Sequence, residues 1–202
     1  MRKMYYIILA AAALLLTVPA QNAQAQSSET PKVEVGVNYT LLRTFGFDLG
    51  NISFNSTDSG IGGRLTFNLN DNFSLEGEYN NFPQDGRVNL GNLSSVNSHK
   101  SQALFGAKYG MRSEKFGIFG KFRPGFVRFS QGDPGALSIV PPSSETLFAF
   151  DIGGVFEIYP SRNVAFRFDL GNTLIRYSNA DVFGDSFTQS NLQLSTGVAF
   201  RF

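Results

Sequence analysis

The motif with the most direct catalytic potential is His99-Lys100-Ser101, in which one residue separates a histidine from a serine. Residues two apart in an extended strand point to the same side, so His99 could accept the proton of Ser101 and make its oxygen a nucleophile. Such a pair needs an acid to orient the histidine, and the pattern indicates no outward carboxylate on the next strand. A lone histidine near a loop is more often simply solvated.

A larger set of charged residues has the composition of an ion-pair network. They recur in one phase of alternating runs, and their acidic and basic members nearly balance, as expected if they neutralise one another away from water. The set is Glu34, Arg64, Glu76, Glu78, Lys108, Arg112, Lys121, Arg123, Asp151, Glu157, Arg167, Asp169 and Arg201.

Two interpretations of this set stay open. One is a hydrogen-bonded structural plug, and the other is a narrow gated pore in which Lys121 and Arg123 face Asp151 and Glu157 and exchange partners. Counting residues from the predicted turns gives the depth of each side chain in the barrel. By this count Glu34 lies at a similar depth to Arg201, Glu157 to Arg167, and Glu76 and Glu78 to Lys108 and Arg64. Because Glu34 and Arg201 lie on the first and last predicted strands, their pairing would close a barrel.

The elements that must position these residues are strands. Eight alternating runs are each long enough for the 9 to 11 residues of a tilted membrane strand. Pro124, which cannot donate to a strand ladder, predicts a bulge or a water-exposed position. The eight runs span residues 33–44, 60–70, 73–83, 101–112, 116–129, 146–160, 164–178 and 191–202.

The connections between the runs alternate in length. Tight turns are predicted at 71–72, 113–115 and 161–163, and long loops at 45–59, 84–100, 130–145 and 179–189. This is typical of an all-β, eight-stranded, antiparallel up-and-down transmembrane β-barrel with short periplasmic turns and long extracellular loops. A soluble, secreted barrel with an apolar cavity is the competing architecture.

Phenylalanine usage favours the membrane barrel. Phe occurs 21 times in 202 residues, mostly in the phase opposite to the charged set. The bore of an eight-stranded barrel only just holds its own side chains, so these rings are expected to face lipid. The inward phase is then mostly Gly, Ala, Ser, Thr and Asn with the charged residues.

The N-terminus predicts export. Arg2 and Lys3 precede an apolar run that is too short to span a bilayer, and Ala23-Gln24-Ala25 resembles a cleavage site. We expect a signal peptide at 1–25, a short periplasmic segment at 26–32 and the barrel at 33–202. No Cys and one His argue against a zinc site or cysteine chemistry, and a net charge of +1 gives no reason to expect nucleic acid.

The chain resembles the small outer-membrane barrels of the OmpA-type transmembrane domain and OmpX superfamily. The most specific stretch is GGVFEIYPSRNVAFRFDLGNTLIRYS, residues 153–178, in which a Gly-Val strand runs to a Pro-Ser-Arg-Asn turn and returns through Arg-Phe-Asp-x-Gly. The resemblance implies a bacterial outer-membrane location, contact with outer-membrane lipid and lipopolysaccharide, no cofactor, and a monomer. It implies no single activity, because the superfamily is functionally mixed.

The resemblance also assigns a role to the C-terminus. In these families the last strand ends on Phe after alternating apolar residues, and this end is read by the barrel-assembly machinery. The matching residues are Leu194, Val198, Phe200 and Phe202.

Three functions are therefore carried forward. A structural or surface-interaction role of the loops is expected, a narrow solute pore is the alternative, and lipid A modification is remote. The lipid A deacylase family uses the His-x-Ser spacing of His99 and Ser101, but the surrounding residues do not resemble it. The predicted loops are acidic, which indicates solvation or divalent-ion binding, through Asp48, Asp58, Asp85, Asp133, Glu145, Asp181 and Asp185.

Overall fold

The computed structural model describes residues 30–44, 48–49, 52–53, 56–83, 98–131, 144–177 and 187–202. The predicted signal peptide and residues 26–29 lie outside this part of the chain. The described residues contain no helix long and apolar enough to cross a bilayer. The described residues form ten strands: β1 (Val33–Thr44), β2 (Asp48–Leu49), β3 (Ile52–Ser53), β4 (Ser56–Asn68), β5 (Phe73–Phe82), β6 (Ser98–Arg112), β7 (Phe116–Gln131), β8 (Ser144–Ser161), β9 (Val164–Tyr177) and β10 (Phe187–Arg201).

Eight of these strands form a closed antiparallel barrel in the order β1-β10-β9-β8-β7-β6-β5-β4, and β2 and β3 form a separate two-stranded hairpin. The barrel closes by pairing of its first strand, β1, with its last strand, β10. Val33 and Phe202 exchange backbone hydrogen bonds of 3.2 and 2.8 Å, and the register continues from Glu34 opposite Arg201 to Thr44 opposite Asn191. The barrel therefore leaves no strand edge unpaired.

The barrel has two distinguishable ends. At one end, called the turn end, lie the short turns between β4 and β5, β6 and β7, and β8 and β9, together with Val33 and Arg201. The opposite ends of the strands, from which the long connections leave, are called the loop end. The eight predicted strands are the eight barrel strands, whereas β2 and β3 lie within the predicted loop at 45–59. Several barrel strands extend further toward the loop end than alternation of large apolar residues indicates, because Ser, Thr and Gln dominate those extensions. β4 begins at Ser56 rather than 60, and β10 begins at Phe187 rather than 191.

The outward phase forms an apolar wall. Its exposed side chains include Val37, Ile61, Phe105, Phe122 and Phe200. An apolar wall of this size is unsuited to water, whereas contact with lipid satisfies it. Alternation then places every second side chain inside the barrel.

The expectation for Pro124 is wrong. Pro124 lies in the middle of β7, opposite Phe150 of β8, and the β7–β8 register is continuous there. The ladder to β6 is interrupted between Leu104 and Ala107 and resumes in the same register. The missing N–H thus removes pairing on one side only, which the surrounding ladder tolerates without a bulge.

Candidate functional site in the barrel interior

The inward phase of the strands brings the predicted charged residues together in the bore. All are buried except Arg112, which is half-buried at the turn end. These residues are Glu34, Arg64, Glu76, Glu78, Lys108, Arg112, Lys121, Arg123, Asp151, Glu157, Arg167, Asp169 and Arg201.

Arg123 lies at the middle of this interior and joins strands that are not neighbours. Its Nη1 donates to Oε2 of Glu78 on β5 at 2.7 Å. Its Nε and Nη2 donate to Oδ2 of Asp151 on β8 at 3.0 and 2.6 Å. Arg123 and Asp151 have no exposed surface, so the guanidinium has exchanged its water for two carboxylates.

This guanidinium belongs to a closed ring in which acidic and basic side chains alternate. Lys121 Nζ lies 2.8 Å from Oδ2 of Asp151 and 3.2 Å from Oδ1 of Asp169. Arg64 Nη1 closes the ring at 3.2 Å from Asp169 and 3.3 Å from Glu78. The formal charges cancel, as a set buried away from water requires. The six-residue ring consists, in order, of Glu78, Arg123, Asp151, Lys121, Asp169 and Arg64.

A second neutral ring lies next to the first, toward the turn end. Arg167 contacts both carboxylate oxygens of Glu76, with Nη2 donating at 2.9 Å, and its Nη1 lies 3.3 Å from Glu157. Lys108 pairs with Glu157 and lies 3.7 Å from Glu76. We call Glu76, Arg167, Glu157 and Lys108 the four-residue ring. Arg167 Nε also donates to Asp169 at 2.8 Å, which connects the two rings.

The turn end is closed by a smaller group. Arg201 Nε donates to Oε1 of Glu34 at 3.2 Å, and Arg112 Nη2 lies 3.6 Å from the same oxygen. Arg112 Nε donates to the Tyr159 hydroxyl at 3.1 Å, and this hydroxyl donates to Oε2 of Glu157 at 2.7 Å. The turn-end group is therefore continuous with the four-residue ring.

Neutral side chains bridge the bore on the loop side of the six-residue ring. Asn38 donates to Asn80 at 2.7 Å, Asn80 donates to Gln102 at 3.0 Å, and Gln102 donates to Gln193 at 3.1 Å. Thr173 donates to Gln193 at 2.7 Å. We call this chain of residues the amide layer, and all its members are buried.

Beyond the amide layer the interior becomes mostly apolar. In the described part of the chain a buried ion pair lies there, Lys100 Nζ to Oδ2 of Asp58 at 2.7 Å. An apolar cluster accompanies it, formed by Val127, Leu147, Ala149 and Ile175. The bore thus holds, from turn end to loop end, two neutral charge rings, an amide layer and an apolar cluster.

Three expectations about the interior are corrected by this arrangement. Asp58 and Lys100 are not loop charges, because each continues the inward phase of its strand. Phe82 and Phe119 also point inward, so aromatic rings are not confined to the lipid side. Alternation counted beyond the large apolar residues would have found the pair: Asp58 is in phase with Arg64, and Lys100 with Lys108.

The pairings proposed for a gated pore are found only in part. Lys121 and Arg123 do face Asp151, but neither is paired with Glu157. Glu157 lies closer to the turn end and pairs with Lys108 and Arg167.

Of the other acidic residues predicted in loops, the structure describes the side chain of one, Glu145. Glu145 is exposed on β8. The side chains of the other acidic residues lie outside the described part of the chain, namely Asp48, Asp85, Asp133, Asp181 and Asp185.

His99 and Ser101 lie on the outward face of β6, the histidine exposed and the serine half-buried. The outward residues of the two flanking strands include no carboxylate: near this site they are Asn81 on β5 and Arg128 and Ser130 on β7. The acid that would orient the histidine of a catalytic triad is therefore missing from both neighbours.

The C-terminal residues lie on the outer wall, from the middle of β10 to the turn end. Leu194, Phe200 and Phe202 are exposed and Val198 is half-buried. Their side chains form an apolar stripe along β10 while the backbone of Phe202 closes the barrel.

The sequence matches the family model described as "Outer membrane protein beta-barrel domain" over residues 9–202. Neisserial surface protein A (NspA) has a similar structure, with 13% identity, a TM-score of 0.63 and coverage of 84% of this chain and 97% of that chain. So has Ail, the attachment invasion locus protein of Yersinia pestis, in complex with the heparin analogue sucrose octasulfate, with 11% identity, a TM-score of 0.53 and coverage of 86% and 99%.

The N-terminal β-barrel domain of Pseudomonas aeruginosa OprF is also similar, with 15% identity, a TM-score of 0.50 and coverage of 86% and 100%. No match was found among curated proteins. At these identities the solved structures support the fold alone, and the family match spans nearly the whole chain. The chain belongs to the outer membrane protein beta-barrel domain family and is a bacterial outer-membrane β-barrel.

Proposed function

We propose that this protein is a sealed, non-enzymatic outer-membrane barrel whose function is carried out by the surface at its loop end. The observation that carries the proposal is the pair of neutral rings that spans the bore. Each cation in the rings contacts at least two carboxylates, and each carboxylate contacts at least two cations. Rotation of any one of these side chains therefore breaks at least two buried ion contacts and leaves its ring with an uncompensated net charge.

Opening the bore is therefore energetically costly. Breaking a buried ion pair by removing one partner costs about 3–5 kcal/mol, which corresponds to an open fraction of roughly one part in 10² to 10⁴. The amide layer and the apolar cluster must also move. A barrel with three successive closures serves as a rigid base for loops better than as a path for solute.

A narrow gated pore is the second candidate, and one observation favours it. Lys121 and Arg123 both contact Oδ2 of Asp151, so either cation could hold this carboxylate if the other moved. Exchange of partners at Asp151 is the rearrangement that such a gate would use.

Single-channel conductance in a planar bilayer separates the two candidates. We expect the refolded wild-type protein to be silent, with circular dichroism showing that it is folded. Lys121→Gln tests the gate, and Arg128→Gln, an exposed outward arginine, is the matched control. Discrete wild-type openings that change in Lys121→Gln but not in Arg128→Gln would replace the sealed barrel by a gated pore.

The charge of the connecting segments limits the kinds of partner that the loop end can bind. The segments that connect the barrel strands on the loop side carry Asp48, Asp85, Asp133, Asp181 and Asp185 against Arg87. With the exposed Arg43, Arg128, Arg176 and Glu145 on the adjoining strand ends, the loop end keeps a net negative charge, which repels polyanions, unlike a surface suited to the sulfated ligand bound to Ail. We therefore assign the loop end to neutral or cationic partners, and expect no saturable binding when sucrose octasulfate is titrated calorimetrically into the refolded protein. Saturable binding would overturn this assignment.

A further inference from the structure

A groove crosses the lipid-facing wall of the barrel. Its volume is about 620 Å³, and it extends from Ile118 on β7 to Tyr39 on β1. One side carries Phe156 and Phe168, and the other carries Leu170 and Leu194. The groove is open to the membrane and almost entirely apolar.

The dimensions of the groove follow from strand geometry. It crosses five adjacent strands, β7, β8, β9, β10 and β1, which at 4.7–4.9 Å per step gives a length of roughly 20 Å. Its two sides on β9 are the outward residues Phe168 and Leu170, and on β8 they are Phe156 and the glycine Gly154. A volume of about 620 Å³ over this length gives a cross-section of roughly 30 Å², which admits a single hydrocarbon chain but not an α-helix of about 10–12 Å diameter.

Gly154 keeps the groove open on β8, and barrel packing does not demand a glycine there. A Cβ at Gly154 would have Phe119 O as its nearest neighbour, at 3.9 Å. Its neighbour in sequence differs, because a Cβ at Gly153 would lie 2.2 Å from Leu170 O. Glycine weakens the interior of a strand, and packing at position 154 would allow a larger residue. The structural consequence of the missing side chain is the open space on the outer wall.

Basic residues lie on the turn side of the groove. Ile118 and Phe168 are two and four residues from the starts of β7 and β9, so this part of the groove lies in the half of the wall nearest the turn end, and the groove reaches the middle of β1 at Tyr39. Arg162 is exposed in the turn that joins β8 and β9, the strands that carry Gly154, Phe156 and Phe168. Lys115 is exposed in the turn before β7. Both cations are therefore on the side where lipid phosphates of that leaflet lie.

We propose that this groove holds one acyl chain of a glycerophospholipid from the leaflet at the turn end, with the lipid phosphate bound by Arg162. The chain gains contact with Phe156, Phe168 and Leu170 on both sides, which is the attraction available within a bilayer, where no hydrophobic effect acts. A second copy of the barrel is a poorer occupant, because a two-fold interface would place a concave surface against itself.

The test compares two outward glycines in the refolded full-length protein. Gly154→Leu fills the groove, and Gly63→Leu is the matched control on β4, where a Cβ would have Gly36 O as its nearest neighbour, again at 3.9 Å. Each protein is reconstituted in nanodiscs of phosphatidylethanolamine and phosphatidylglycerol, released into mild detergent, and examined by native mass spectrometry for retained lipid. Parallel samples contain lipopolysaccharide in addition.

We expect wild type and Gly63→Leu to retain a phospholipid, Gly154→Leu to lose it, and Arg162→Gln to retain less. Should Gly154→Leu fail to fold, Gly154→Ala must still reduce retention. Equal retention in wild type and folded Gly154 variants would overturn the proposal. Preferential retention of lipopolysaccharide would overturn the phospholipid assignment, and a dimer that Gly154→Leu dissociates would make the groove a self-interface.

Discussion

Arg201 on the last strand lies opposite Glu34 on the first, and its Nε donates to Oε1 of Glu34 at 3.2 Å. One residue closer to the turn end, Val33 and Phe202 exchange two backbone hydrogen bonds. The guanidinium of Arg201 also lies 4.1 Å from the ring centre of Tyr159. The junction between the first and last strands is thus closed by an ion pair in the bore and by backbone hydrogen bonds in the barrel wall.

Removing the charge of Arg201 is expected to weaken this junction. In Arg201→Gln, Glu34 keeps Asn68 and Arg112 as partners, so it does not become an isolated buried charge. We therefore predict a loss of roughly 2 kcal/mol in the free energy of unfolding, the scale of one charge-assisted hydrogen bond. Urea unfolding in lipid vesicles measures it.

Arg128→Gln is the control for Arg201→Gln, since Arg128 is exposed on the outer wall. Its effect should stay within about 0.5 kcal/mol, as for most surface substitutions. If both variants unfold at the same urea concentration as wild type, the pair does not contribute to closure.

The sequence predicts the fold and the direction of each side chain better than it predicts contacts. A strand has a period of two, so a residue such as Arg123 can be assigned to the interior from its neighbours alone. The carboxylate that Arg123 contacts depends on the stagger between strands. The alternation of residue types within a single strand does not determine this stagger. Glu157 shows the consequence, because it pairs with Lys108 and Arg167 and not with Lys121 or Arg123.

Strand ends at the loop side were harder to predict for a different reason. There the outward residues become polar, as at Ser59 and Ser101, and the contrast between phases disappears. The sequence pattern consequently predicts Asp58 and Lys100 in loops, although they face each other in the bore. The outward groove was also not predicted, since it depends on which outward residues become neighbours across five strands.

The six-residue ring predicts strong energetic coupling between Arg123 and Glu78. Arg123→Met leaves both Glu78 and Asp151 short of a cation and should cost about 3–5 kcal/mol. Glu78→Gln restores the neutrality that the ring loses in Arg123→Met, so the double variant should be less destabilised than the sum of the singles. We expect a coupling free energy of about 1–3 kcal/mol from urea unfolding of all four proteins. Additive effects would contradict a closed ring.

Two glycines test how closely the strands approach beside Pro124. A Cβ at Gly106 would lie 2.1 Å from Phe122 O and 2.6 Å from Arg123 Cα, both backbone atoms. Gly106→Ala should therefore destabilise the barrel by about 1–3 kcal/mol through overpacking. A Cβ at Gly120 meets nothing closer than Tyr109 O at 3.8 Å, so Gly120→Ala should be neutral or stabilise by up to about 1 kcal/mol. Equal melting temperatures of the two variants would contradict the close approach.

The side chain of Phe202 is expected to act in assembly rather than in stability. Deleting the residue would also remove the backbone bonds to Val33, so Phe202→Ala is the informative change. If the aromatic end is the signal for the assembly machinery, this variant should be depleted from isolated outer membranes while the refolded protein unfolds like wild type. Phe116→Ala is the control, because Phe116 is also an exposed aromatic at the turn end, 49% exposed against 72% for Phe202. Equal depletion of both variants would indicate lost lipid contact, and undiminished amounts of Phe202→Ala would remove the signal from this residue.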